Sequence, residues 1–138
     1  MKSRFIILLL VLILFSSCSS FDQIEQYKTS NDTMTINLNQ VCFNEKYGIK
    51  LQFDSIINDS RCPIGALCLW EGNAQIQFSL ISKNKKHDKF YLNTHSAFTQ
   101  DTIIHGIDYK LVNLLPHQKL GNTTNPQLHL AVVVATKQ

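Results

Sequence analysis

The sequence contains little glycine and proline, with five and three residues respectively among 138. Collagen-like and low-complexity chains carry far more of both, so these classes are excluded. Charged residues are also scarce at 17%, whereas hydrophobic residues make up 44% of the chain. A chain of this composition folds around a hydrophobic core rather than remaining disordered, and its length predicts a single domain.

Recognisable catalytic motifs are lacking as well. The chain has neither a glycine-rich phosphate loop nor a Gly-x-Ser-x-Gly nucleophile elbow. Its histidines stand 8 to 12 residues apart, unlike the close pairs of zinc sites, so we predict no catalytic residue, no metal site and no cofactor. We also expect no nucleic-acid partner, because the basic run at residues 83–89 lacks interleaved aromatic residues. The histidines are His87, His95, His105, His117 and His129.

The first residues have the order of a secretory signal peptide. Lys2 and Arg4 precede an uninterrupted apolar run at residues 5–15, and small residues follow it. A helix of this length spans roughly 16 Å, whereas the hydrocarbon core of a bilayer is ~30 Å thick. The segment is therefore expected to direct export and to be cleaved, rather than to cross the membrane permanently.

The end of this run is similar to the lipobox of bacterial lipoproteins, in which the peptide is cut just before a cysteine. Ser16, Ser17 and Cys18 fit that pattern, while Phe15 stands where the family has an aliphatic residue. The resemblance implies that residues 1–17 are removed and that Cys18 is acylated. Because Ser19 rather than aspartate follows the cysteine, it also implies the outer membrane of a diderm bacterium. Residues 18–32 are polar and are predicted to form a flexible tether, which leaves residues 33–138 as the domain.

The rest of the chain alternates apolar and polar residues, a pattern typical of half-buried β-strands. It predicts an all-β fold, namely a single antiparallel β-sandwich or small open barrel of six to seven strands. The last predicted strand is apolar on both faces, and the strand order is left open. The clearest strands are residues 33–39, 49–57 and 74–81, and the further candidates are the short 90–92, 107–115 and 128–136.

Three cysteines follow Cys18, and export would place them in an oxidising compartment. Pro63 and Gly65 favour a turn that brings Cys62 and Cys68 together, so we predict that these two form a disulfide and that Cys42 is left over. Closing such a loop contributes ~2.4 kcal/mol in the chain-entropy model. A redox-active pair is the alternative, but the spacing differs from Cys-x-x-Cys and no βαβ pattern surrounds it.

The cysteine segment resembles the hallmark of a family of small, largely uncharacterised bacterial lipoproteins. That hallmark reads Asp-Ser-Arg-Cys-Pro, a short loop, then Cys-x-Trp-x-Gly-x-Ala. Residues 59–63 and 68–74 match every fixed position, from Asp59 to Ala74. The resemblance implies an all-β domain and a lipoprotein location, and it brings no established activity.

Arg61, Trp70 and Glu71 form a candidate binding loop around the predicted disulfide. In a structural interpretation, Arg61 and Glu71 form an ion pair, and Trp70 lies over the disulfide or over Arg61. In a functional interpretation, the rigid loop presents arginine and tryptophan, both frequent in binding hot spots, to a partner. The structural interpretation is favoured because the single tryptophan of a small sandwich is usually in the core.

Together these observations predict a lipid-anchored, non-catalytic binding or accessory module of the cell envelope. Its partners would be the membrane, through the acyl chains on Cys18, and a protein of the envelope. One alternative is an inhibitor or envelope-protection protein that presents the Cys62–Cys68 loop, and a weaker one is a metal-binding protein or enzyme. Thr33, Ser55 and Thr102 also lie in triplets similar to a bacterial O-glycosylation motif.

Overall fold

The computed structural model describes residues 27–81, 87–122, 125 and 128–138. More than half of these residues lie in β-strands, and no α-helix occurs within the described ranges. In chain order the strands are β1 (Tyr27–Thr29), β2 (Thr33–Asn37), β3 (Val41–Asn44), β4 (Ile49–Asp59), β5 (Ala74–Ile81), β6 (His87–Asn93), β7 (Asp101–Ile104), β8 (Ile107–Leu115) and β9 (Leu130–Lys137).

The strands form two sheets that pack face to face. One sheet has five strands in the order β1-β3-β4-β5-β6, and the other has four in the order β2-β9-β8-β7. Neighbouring strands run antiparallel, apart from β1, which runs parallel to β3. The hydrophobic core lies between the two sheets. The predicted all-β sandwich is therefore confirmed.

The described residues contain nine strands, whereas the sequence predicted six or seven. The additional strands β1, β3 and β7 are only three or four residues long, which is too short for alternation to be recognised. β1 lies within residues 18–32, the expected tether, so the ordered sheet begins earlier in the chain than the predicted domain. The residues of β1 are largely exposed, and backbone pairing with β3 holds the strand at the sheet edge. The hydrophobicity pattern therefore did not predict this strand.

Four aromatic rings connect the two sheets through the core. Phe53, Phe78 and Phe90 lie side by side on β4, β5 and β6, with ring centroids 5.6 and 5.7 Å apart. Tyr109 of β8, in the other sheet, continues the row at 5.5 Å from Phe90. Aromatic pairs at these distances add about 0.5–1.5 kcal/mol each beyond the area they bury. Burial also raises the pKa of Tyr109 to about 12.

The connections between strands lie at two opposite ends of the sandwich. We call one the loop end; it comprises the β4–β5 connection (60–73), the β6–β7 connection (94–100) and the described part of the β8–β9 connection (116–129). The other, the hairpin end, carries the short β3–β4 and β7–β8 turns. His105 of the β7–β8 turn pairs with Asp88 of β6 at 2.7 Å, which joins the two sheets at the hairpin end.

Cys42 of β3 is the free cysteine of the described residues, and it is buried in the core. Burial raises the pKa of its thiol to about 11, because the thiolate would be poorly solvated there. Since the thiolate is the nucleophile and the metal ligand, Cys42 is held in its unreactive form and serves as a small apolar core residue.

Candidate binding surface

The loop end is organised around the Cys62–Cys68 disulfide, which the sequence predicted. The Cα atoms of the two residues lie 6.0 Å apart. Between them the Ala66 amide donates a hydrogen bond to the Pro63 carbonyl at 3.0 Å, and Gly65 has a φ of 91°. The turn expected from Pro63 and Gly65 therefore closes the loop.

Arg61 pairs with Asp59 and not with Glu71, the partner that the sequence predicted. Its Nε donates to Asp59 Oδ1 at 2.8 Å and its NH2 group to Asp59 Oδ2 at 2.7 Å. The guanidinium also donates to the backbone carbonyls of Leu114 and Pro116, in and just after β8. Arg61 is 6% exposed, so it joins the two sheets at the loop end and is not available to a partner. Residues two apart in an extended segment lie on the same face, which explains why Asp59 is the partner.

The interactions with Arg61 keep the Asp59 carboxyl in its ionised form. Burial alone would raise its pKa, because a carboxylate is poorly solvated inside a protein. The hydrogen bonds and positive charge of Arg61, with a smaller contribution from His129, outweigh burial and hold the pKa of Asp59 below its ordinary value of 3.8. Both members of the Asp59–Arg61 pair are therefore charged at neutral pH, and each compensates the charge of the other.

Gly72 allows the two sides of the β4–β5 connection to approach closely. The amides of Ser60 and Cys62 donate to the carbonyls of Asn73 and Glu71, both at 2.8 Å, so the pairing of β4 with β5 continues into the connection. Gly72 has a φ of 77°, and a Cβ placed on it would lie 2.0 Å from the Ser60 carbonyl oxygen. Only glycine fits this position.

Trp70 is not a core residue, because 54% of it is exposed. Its ring lies 5.9 Å from the His95 ring, which in turn lies 6.0 Å from that of Phe98. Glu71, the expected partner of Arg61, instead lies with Oε1 3.0 Å from His95 Nε2. The Ala97 amide donates to His95 Nδ1 at 3.0 Å, so Nε2 carries the hydrogen that faces Glu71.

Hydrogen bonds connect the disulfide loop to both neighbouring loops. The Ile64 amide donates to the Gln118 carbonyl at 2.8 Å, and the Leu120 amide donates to the Ile64 carbonyl at 3.1 Å. On the other side, the His95 amide donates to Asn73 Oδ1 at 3.1 Å, and Asn73 Nδ2 donates to the buried Asn93 Oδ1 of β6 at 2.8 Å. The three loops therefore form one connected scaffold.

This scaffold presents a group of exposed apolar side chains, of which the sequence analysis singled out only Trp70. Of thirteen exposed large hydrophobic residues in the described ranges, seven lie in the three connections of the loop end. Leu67 and Leu69 are fully exposed, at 105% and 108%. Clustered rather than scattered exposed apolar residues mark interaction surfaces. We call six of them the apolar tip: Ile64, Leu67, Leu69, Trp70, Phe98 and Leu120.

The other predicted sites are less informative. Thr33, Ser55 and Thr102 lie within β2, β4 and β7 respectively, and Thr33 is exposed. Cys18 and the signal-like segment lie outside the described residues. Across the described ranges, no three His, Cys, Asp or Glu side chains are placed so that they could hold a metal ion.

Comparison with known proteins finds no relative. No protein-family model, curated protein or solved structure matches this chain.

Within the part of the chain that the structure describes, no helix has the length and hydrophobicity needed to cross a membrane.

Proposed function

We propose that this chain is a lipid-anchored, non-catalytic binding or accessory module of a bacterial cell envelope. Its anchor would be the acyl chains on Cys18, in the outer membrane. The signal-like residues 1–17 and the resemblance of residues 59–74 to small bacterial lipoproteins support this location. The Cys62–Cys68 disulfide agrees with an exported protein, because disulfides persist in oxidising compartments.

The apolar tip is the observation that carries the binding role. Leu67 and Leu69 contribute nothing to the core, yet the disulfide and the hydrogen bonds of Ile64 restrain the loop that holds Leu67 and precedes Leu69. A preorganised surface loses little conformational entropy on binding. Aliphatic and aromatic side chains supply contact area, and tryptophan is frequent in binding hot spots. Such a surface suits docking better than proton transfer or nucleophilic attack.

Cell fractionation of the full-length chain and its Cys18→Ala variant tests the proposal. We expect the wild-type chain in the membrane fraction and the variant in the soluble fraction, because the variant has no thiol to acylate. Cys42→Ala is the matched control, since that thiol is buried in the core, and its variant should stay with the membrane. Equal distribution of wild type and Cys18→Ala contradicts the anchor. Turnover in a hydrolase panel that one side-chain change abolishes contradicts the non-catalytic role.

One observation favours a second candidate, an inhibitor of an envelope protease. Leu67 lies fully exposed within a turn that the disulfide closes. An inhibitor residue that enters a protease cleft must be exposed in this way. Inhibition assays against envelope proteases test this function. Inhibition that Leu67→Ser abolishes and Ile103→Ser retains supports it, whereas no inhibition by the folded wild-type chain contradicts it.

A further inference from the structure

We propose that the apolar tip inserts into the bilayer that anchors Cys18, so that the sandwich stands on the membrane with its loop end down. This inference rests on the proposed lipid anchor and identifies the partner of the apolar tip as the lipid surface itself. The bilayer then has two attachments to the protein, and the second one sets the orientation of the domain.

The direction of β1 is the first argument. β1 runs from Tyr27, beside Cys42, to Thr29, beside Asn44, and Asn44 pairs with Ile49 at the hairpin end. The strand therefore runs toward the hairpin end, and its first residue, Tyr27, lies at the end of β1 that is nearer the loop end. With the loop end on the membrane, the N-terminal end of β1 therefore faces the bilayer.

The length of the intervening chain is the second argument. Residues 19–26 separate Cys18 from Tyr27. Nine residue steps span at most about 30 Å. Tyr27 is level with Leu51, and the rest of β4 from Leu51 to Asp59 extends toward the loop end by roughly 26 Å at ~3.3 Å per residue. With the domain upright and the loop end down, a fully extended linker therefore holds Asp59 at most about 4 Å above Cys18, so the connection 60–73, which lies beyond Asp59, reaches the bilayer surface or enters it.

The chemistry of the two ends is the third argument. The loop end presents the apolar tip, and its exposed Lys119 stands beside Leu120, where a lysine can reach lipid phosphates. Each end carries an ion pair, Glu71 with His95 at the loop end and Lys46 with Asp32 at 2.6 Å at the hairpin end, but the hairpin-end turns 45–48 and 105–106 contain none of the exposed large hydrophobic residues. Leucine and tryptophan partition into the boundary between headgroups and acyl chains.

Trp70 is the single tryptophan of the chain, so its fluorescence reports on this surface alone. The experiment uses the mature chain extracted from membranes and reconstituted into vesicles of phosphatidylethanolamine and phosphatidylglycerol, with or without brominated acyl chains. We expect the Trp70 emission to shift to shorter wavelength in vesicles, to be quenched by brominated lipid and to be shielded from acrylamide. Leu67→Ser with Leu69→Ser should abolish all three effects. Ile103→Ser with Val112→Ser, which removes two exposed apolar residues outside the apolar tip, should leave them unchanged.

The mass of the same sample separates the two proposals. An acylated chain whose Trp70 is open to acrylamide and unquenched by brominated lipid overturns this inference and leaves the proposed anchor intact. A blue shift without bromine quenching also overturns it, since that result indicates contact between copies of the chain. Equal effects of the two double variants overturn it as well. A chain without acyl groups overturns the proposed function and this inference together.

Discussion

Replacing Arg61 by methionine removes the side chain that joins β4 to β8 at the loop end. Methionine keeps much of the length and apolar contact of the arginine stem but none of its hydrogen-bond donors. The largely buried Asp59 carboxylate then loses its ion-pair partner and keeps only the 3.3 Å hydrogen bond from the backbone amide of residue 61 and the weaker charge interaction with His129. The carbonyls of Leu114 and Pro116 each lose a charged donor. Removing one partner of a buried ion pair is destabilising because the other charge cannot be solvated.

The expected loss in the free energy of unfolding is about 3–5 kcal/mol, the usual cost of leaving one member of a buried pair unpaired. Native domains have about 5–15 kcal/mol in total, so this loss is a large share of the stability. For a domain of this size, each kcal/mol shifts the melting temperature by roughly 4 °C. Arg61→Met should therefore lower the melting temperature by about 12–20 °C.

Urea denaturation with thermal melting measures both quantities, and two further variants make the result specific. Lys28→Met breaks the exposed Lys28–Glu45 pair and should cost less than about 1 kcal/mol. Adding Asp59→Asn to Arg61→Met should recover part of the lost stability, because the unpaired charge is removed. A loss for Arg61→Met no larger than that for Lys28→Met would refute the reasoning.

Three further predictions concern the same region. Gly72→Ala should unfold the β4–β5 connection and destabilise the protein severely, because its Cβ would overlap the backbone at Ser60. Gly65→Ala, where a Cβ meets no atom, should lower the free energy of unfolding by only about 1 kcal/mol, the cost of its positive φ. Thermal melting followed by circular dichroism compares the two variants. Because the pKa of Asp59 is lower in the folded protein than in the unfolded chain, its ionised carboxylate stabilises the fold fully above about pH 4. This contribution to the free energy of unfolding is lost as the pH falls through the ordinary pKa of Asp59 and then through the lowered one. Asp59→Asn should therefore make the free energy of unfolding, measured by urea titration between about pH 5 and pH 2, less dependent on pH. Leu67→Ser with Leu69→Ser should leave the melting temperature unchanged, because both side chains lie outside the core, and a loss of several degrees would show that they stabilise the fold.

Local signals in the sequence account for much of the fold and for the disulfide. Alternation located β4 and β5 because their buried residues, such as Phe53 and Phe78, follow a period of two. The turn residues Pro63 and Gly65 were sufficient to pair Cys62 with Cys68. β1 escaped prediction because an exposed edge strand held by backbone pairing has no apolar face.

The candidate site was harder to predict because its contacts are distant in sequence. Glu71 pairs with His95, and that contact follows only from the β5–β6 pairing that places residues 71 and 95 together. The Asp59–Arg61 pair did have a local signal, the two-residue spacing in an extended segment. The exposed leucines had no such signal, because Leu67 and Leu69 flank Cys68 in a loop without strand periodicity.

The intact mass of the membrane-extracted protein, alkylated under denaturing conditions with and without prior reduction, tests the lipid anchor and the disulfide together. We expect a chain that begins at Cys18 and carries acyl groups. We also expect one thiol that reacts before reduction, that of Cys42, and three after it, once the Cys62–Cys68 disulfide is opened. A chain without acyl groups would contradict the proposed anchor, and three reactive thiols before reduction would contradict the disulfide on which the binding surface is built.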